Sequence, residues 1–240
     1  MGSLQEGPAI LNRRSALGEL YELIDELRAE LGGPRTLAAC DGRMGWPRHG
    51  VYLFFEADEH REDGITPRVT RVGTHALTET SRTSMWSRLA QHRGSVGGRT
   101  PGGGNHRGSI FRLHVGTALI ARDGWSQVAD WGRGGSASRG VREREVELER
   151  AVSRTIGAMP FLWLAADDRH DRAVIERDLI ALLSNADRPG MDPPSPEWLG
   201  RHADRPAIRT SGLWNVDHTT RQSQNEGLDR FRSYVCCPQR

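Results

Sequence analysis

Two strand-length runs constrain this chain more than any other feature: GVYLFFE at residues 50–56 and RVTRVGTHA at residues 68–76, joined by the polar loop ADEHREDGITP. β-branched and aromatic residues dominate both, and so short a polar connection makes an antiparallel pair the economical arrangement. Alternation turns Tyr52 away from Val51, Leu53 and Phe55, while Arg71, Gly73 and His75 share one face of the second run. A glycine inside a strand marks a bulge or a close approach of another group to the backbone. Gly73 therefore leaves a gap with polar flanks, or packs beneath a helix.

Helical spacing governs what surrounds the pair. Leu17, Leu20, Tyr21, Ile24, Leu27 and Leu31 lie on one face of SALGELYELIDELRAEL, which Gly32-Gly33-Pro34 stops. After the strands, Thr83 or Ser84 caps MWSRLAQHR, which ends at Gly94. A glycine-dense loop over 94–109 precedes a second helix, SIFRLHVGTALIA. Residues 123–140 read as an irregular insertion, VREREVELERAVSRTIG as a charged helix, PFLWLAA as a buried strand, and RHDRAVIERDLIALLSN as a periodic helix. The order strand, strand, helix, helix, strand, helix predicts an α+β fold, a small three-stranded antiparallel sheet flanked by helices. The expected divisions are an N-terminal helical segment over 1–47, a domain over 48–186, and a wrapping extension over 187–240 with a short final helix near 227–234.

Charge supplies the next constraint. The net charge is +2 and no lysine occurs. Eight arginines face one acid, Glu79, between Arg68 and Arg112, whereas residues 1–33 hold six acids against three arginines. A local positive excess of that size is the footprint that phosphate backbones attract, or else a solvated surface. No signal-peptide pattern or membrane-length apolar stretch is present, so a cytoplasmic protein with no membrane partner is expected. Cys40, Cys236 and Cys237 are too few and too badly spaced for a zinc site or disulfide framework, and are expected as reduced thiols.

Three features bear chemistry. Arg88 and His92 stand four residues apart on one helix margin, where both can point at one ligand: the arginine through paired donors, the histidine as phosphate ligand or proton shuttle. Glu176 is aligned with Ala173, Leu179, Ile180 and Leu183, so its carboxylate either pairs with an arginine such as Arg172 or holds a hard cation such as magnesium. Arg93, Arg99, Asn105, His106 and Arg107, on or beside the glycine loop, can close over a nucleic-acid backbone. The loop lacks the GK[ST] ending of a nucleotide-binding loop.

Taken in order, these residues resemble the GIY-YIG nucleases over roughly residues 48–186. Gly50-Val51-Tyr52 looks like the first signature, Arg71-Val72-Gly73 occupies the second, Arg88 with His92 fits the helical arginine and following histidine, and Glu176 fits the metal-binding glutamate. The resemblance implies a metal-dependent endonuclease acting on duplex or branched DNA, with one Mg2+ or Mn2+ ion on Glu176. It further implies Tyr52 as general base or positioner of the attacking water, helped by His75 or His92, with Arg88 steadying the phosphate and all these groups on one concave surface. Two departures matter. Arg71 replaces the second signature's tyrosine, with Thr74 following the glycine and His75 available for part of the lost role. The family's asparagine after the glutamate helix falls to Asn185 or Asn215 as accessory residues. A catalytically weak nucleic-acid-binding or interaction module on the same scaffold is the alternative.

Overall fold

The two runs pair antiparallel, and the sheet they begin is four strands wide. A computed structural model of the chain describes residues 8–97, 101–188 and 190–237. In chain order the elements are α1 (Pro8–Glu30), β1 (Arg35–Thr36), β2 (Gly50–His60), β3 (Pro67–Gly73), α2 (Met85–Arg93), α3 (Ile110–Asp123), α4 (Arg139–Ala158), β4 (Pro160–Ala165), α5 (Arg169–Leu183), α6 (Pro206–Ser211) and α7 (Asn225–Cys236). Spatial order is β1-β4-β2-β3, with every pairing antiparallel. The expectation of three strands is corrected by β1, which pairs Arg35 with Phe161 and Thr36 with Pro160. Two residues carry no periodicity, so only the neighbouring strand reveals them.

Central placement of β2 explains its composition. Val51, Leu53 and Phe55 pack with Leu20 and Ile24 of α1, Ile175 and Leu179 of α5, and Phe231 of α7. On the opposite face, Tyr52 and Phe54 pack with Leu89 of α2, Phe111 and Val115 of α3, Val152 of α4, and Phe161 of β4. A strand buried on both faces reads as a continuous apolar run rather than an alternating one. Each buried Leu, Ile or Phe contributes roughly 1.5–3 kcal/mol, so the two cores dominate stability. The segments before residue 48 and after residue 187 are thus built into the same cores as the sheet.

Local sequence sets the helix ends. Ser84, not Thr83, accepts from the Ser87 amide to cap α2, and Gly94 at φ 85° ends it. Ser109, Ser138 and Asp168 cap α3, α4 and α5 in the same way. Residues 124–138 are irregular, within the expected 123–140, whose ends belong to α3 and α4, and Trp131 among them stacks on His106 at 3.8 Å.

Long-range polar contacts tie the C-terminal extension to the sheet. Glu56 accepts both the Trp198 and the Trp214 indole N–H at 2.8 Å. Glu59, buried, pairs with Arg68 and accepts from the Ser195 hydroxyl. Trp214 donates its amide to the Thr70 carbonyl, and the Asn215 side chain bonds both the amide and the carbonyl of Val72. Residues 214–215 therefore cover the outer edge of β3, satisfying backbone groups that an edge strand leaves open. No described helix is long and apolar enough to cross a membrane.

Candidate active site

Gly73 is a glycine because Tyr52 lies across it. Tyr52 and Gly73 are register partners, and a Cβ on Gly73 would sit 2.4–2.7 Å from the tyrosine ring and hydroxyl. Gly50 is equally constrained, since a Cβ there would meet the Leu164 carbonyl at 2.1 Å. The tyrosine ring is thereby laid flat toward α2, where its hydroxyl lies 2.9 Å from His92 Nε2; His92 Nδ1 is 2.7 Å from the Ser109 hydroxyl. Both rings are fully buried. Burial first, and then Arg88, Arg71 and Arg112, hold His92 well below the usual imidazole range, so it is neutral at physiological pH.

Beside this pair, a cleft of about 190 Å3 is lined by Arg71, Arg88, His114, Glu176, Asn215 and Asp217 among others. Arg88 is partly exposed and donates to the Gln91 side chain and the Gly108 carbonyl. Arg71 is buried, with one terminal nitrogen on the Trp214 carbonyl at 2.6 Å and its Nε without a partner. Desolvation lowers its pKa, opposed first by neighbouring Tyr52. Glu176 arrives from the other layer: α5 packs on the face away from Tyr52, and its carboxylate rounds the end of edge strand β3 to accept from the Thr74 amide at 3.1 Å. The single concave surface expected for Tyr52, Arg88, His92 and Glu176 is therefore corrected. Arg88 and Glu176 line the cleft, while Tyr52 and His92 are fully buried, because Gly73 lets the tyrosine ring sink against the sheet.

Among the described residues Glu176 makes no ion pair; Arg172 gives its donors instead to the carbonyls of Ala166, Asp167 and Ala76. Burial raises the Glu176 pKa, and Arg71 is the largest opposing influence. No three His, Cys, Asp or Glu side chains come together as a metal cluster among the described residues. A recessed carboxylate without a salt bridge suits magnesium, which keeps several waters and takes only one or two carboxylates from a protein.

Other candidates are placed elsewhere. His75 stacks on His49 at 5.7 Å and contacts the Arg48 carbonyl, outside the cleft, with burial pushing it down to about 4. Asn185 bonds Arg13 and the Met191 amide and does not line the cleft, whereas Asn215 lines it with its amide engaged by Val72. Arg99 lies outside the described residues. The expected backbone-binding loop is corrected at three positions. His106 is buried between Glu149 and Trp131, Arg107 forms a two-pronged pair with Glu145 at 2.7 and 2.9 Å, and Arg93 donates to the Cys40 carbonyl over the Trp86 ring. Asn105 caps the following turn by accepting from the Arg107 amide. Arg68 and Arg112 are likewise paired internally, with Glu59 and Glu149. Three of the eight arginines, Arg68, Arg107 and Arg112, are thus paired with acids that lie outside the stretch from Arg68 to Arg112.

A family model described as the GIY-YIG domain matches residues 11–239. The chain belongs to the GIY-YIG family. No curated protein and no solved structure gives a significant match. The GIY-YIG match runs beyond the stretch carrying the signature residues, in keeping with the shared cores that α1 and α7 help to build. It places this protein in a nuclease family, for which the cleft at the end of β3 is the candidate active site. His114, Trp214 and Asp217 of that cleft carried no signal in the sequence, since each reaches it through a tertiary contact.

Proposed function

We propose that this GIY-YIG protein is a metal-dependent endonuclease that hydrolyses DNA phosphodiester bonds, with Glu176 holding one Mg2+ or Mn2+ ion in part through water. The observation that carries the reading is the convergence of Arg71, Arg88 and Glu176, from three separate elements, in one cleft beside the Tyr52–His92 pair. When bound, the ion supplies charge stabilisation at the leaving oxygen.

The chain's own groups do the rest. Arg88, the more exposed arginine, steadies the phosphate with charge-assisted donors. Neutral His92 fixes the direction of the Tyr52 hydroxyl. With the His92 proton on Nδ1 and directed at Ser109, Nε2 is free to take the tyrosine proton. Burial, and after it Arg88 and Arg71, depress the basicity of His92, and an incoming phosphate offsets the part that is due to the two charges. Tyr52 then orients or deprotonates the attacking water.

The alternative, a catalytically weak nucleic-acid-binding module, is favoured by Arg71 standing where the second signature has tyrosine and by the complete burial of Tyr52. Nicking of plasmid and branched DNA, with and without magnesium or manganese, separates the two. Metal-dependent nicking that disappears in Tyr52→Phe and Glu176→Ala supports the nuclease. DNA binding without nicking under either metal supports the module.

A further inference from the structure

Among the described residues, His114 is the one histidine with both ring nitrogens buried and without a partner. It sits on α3, is 2% exposed, lines the cleft with Arg71, Arg88 and Glu176, and neither of its ring nitrogens has a hydrogen-bond partner. A buried neutral imidazole carries one donor and one acceptor, and leaving both unmet is costly. Arg71 shares the cleft and the same peculiarity: its Nε is buried without a partner, and no carboxylate pairs with its charge among the described residues. Arg68 and Arg112, also buried, pair with Glu59 and Glu149, whereas Arg172 has an unmet Nε like Arg71 but gives its terminal nitrogens to three carbonyls. Buried nitrogens without partners occur also at His75, Arg93, Arg107 and Arg172, but only Arg71 and His114 bring theirs to one cleft.

We propose that Arg71 and His114 form a second phosphate-coordinating pair, distinct from Arg88, which takes the non-bridging oxygens of the substrate phosphodiester at the position where the family's second signature carries a tyrosine. This rests on the nuclease reading for the identity of the phosphate, but not for the existence of the site. A phosphate oxygen accepts from several donors at once, so one anion meets the free guanidinium donor and the imidazole N–H together. Burial, followed by Arg71, holds His114 down to about 4, so it meets the phosphate as a neutral donor and adds no repulsion to the two arginines. Ile110 and Val216, 48% and 37% exposed on the lining of the same cleft, are apolar and suit the sugar and base rather than the charge.

The full chain with 15N-labelled histidine is titrated with inorganic phosphate in the absence of metal, and the ring signals of His114 are followed. Saturable shifts of those signals, lost in Arg71→Gln, are expected; unmoved His114 signals up to phosphate concentrations that shift Arg88-dependent resonances overturn the pair. In parallel, His114→Phe is compared with wild type for thermal stability, DNA affinity and single-turnover nicking. Because the imidazole makes no hydrogen bond, the variant should melt at or above the wild-type temperature. Nicking should slow by about 10- to 100-fold, the value of one charge-assisted hydrogen bond made in the transition state, while affinity changes by less than about 5-fold. Wild-type nicking rates in folded His114→Phe overturn the proposal. A protein that shows the phosphate-induced shifts but cuts no DNA supports the site and removes the nuclease reading instead.

Discussion

Substitutions at single residues separate the roles proposed for the cleft. Glu176→Ala should leave the melting temperature unchanged or slightly raised, because the carboxylate is recessed, carries a raised pKa and forms no ion pair with an arginine among the described residues, although its charge favours nearby Arg71. Nicking should fall by about 10^3-fold or more, since a metal contributes several kcal/mol of charge stabilisation and ~1.4 kcal/mol is tenfold in rate. A folded variant that nicks at the wild-type rate would end the assignment of Glu176 to the metal. Gly73→Ala makes the opposite prediction. Its methyl meets the Tyr52 ring at 2.4 Å, so the variant should lose about 1–3 kcal/mol in urea unfolding and displace Tyr52 from His92. Unaltered stability there would mean that the ring is not held across the glycine.

At the scale of elements, the C-terminal extension contributes Leu228 and Phe231 to one core and Trp198 and Trp214 to the other, and is tied to the sheet by a few polar groups as well. Glu56 is the chief of these, accepting two indole N–H bonds while burial raises its pKa. Glu56→Leu leaves both indole donors buried and unmet and should cost about 2–4 kcal/mol, read as a fall in the urea midpoint. Asn215→Ala acts more locally, removing the two bonds to Val72 at the edge of β3. Faster hydrogen exchange at the Val72 amide, with the core amides of β2 unchanged, is the expected signature. Equal acceleration throughout β2 would show instead that residues 214–215 hold the whole sheet.

For the molecule as a whole, the balance of buried titratable groups sets acid stability. His75, His92 and His114 are all held below the ordinary value of 6.5, chiefly by burial, so the unfolded chain binds protons at these sites more readily than the native one. Each contributes stability that is present above about pH 6.5 and lost as pH falls toward its folded value. Glu56 and Glu176, with raised values, act in the opposite sense, their cost to the fold easing as they protonate. His114→Phe isolates one histidine. Between pH 6 and pH 5 its stability should fall less steeply with acid than wild type, by up to about 1.4 kcal/mol per pH unit. Identical slopes would mean that His114 is protonated equally easily in both states.

The sequence by itself determined the helices with apolar stripes, the β2–β3 pair, the α+β class and the residues that mark the family, because each depends on spacing within a few turns or one hairpin. Gly73 was legible as a close-approach glycine, and Arg88 with His92 as two residues on one helix. Which neighbour approaches Gly73, and that His92 turns inward to Tyr52 while Arg88 turns to the cleft, required the packed sheet. Tertiary structure alone decided the two-residue strand, the buried pairing of His106 and Arg107, the choice of Asn215 over Asn185 in the cleft, and the arrival of Glu176 around the end of β3 from the opposite layer. The physical reason is common to all four. Charge and hydrogen-bonding capacity are properties of a residue, but whether they face solvent, a partner or a ligand depends on groups that are remote along the chain and adjacent only once the layers close.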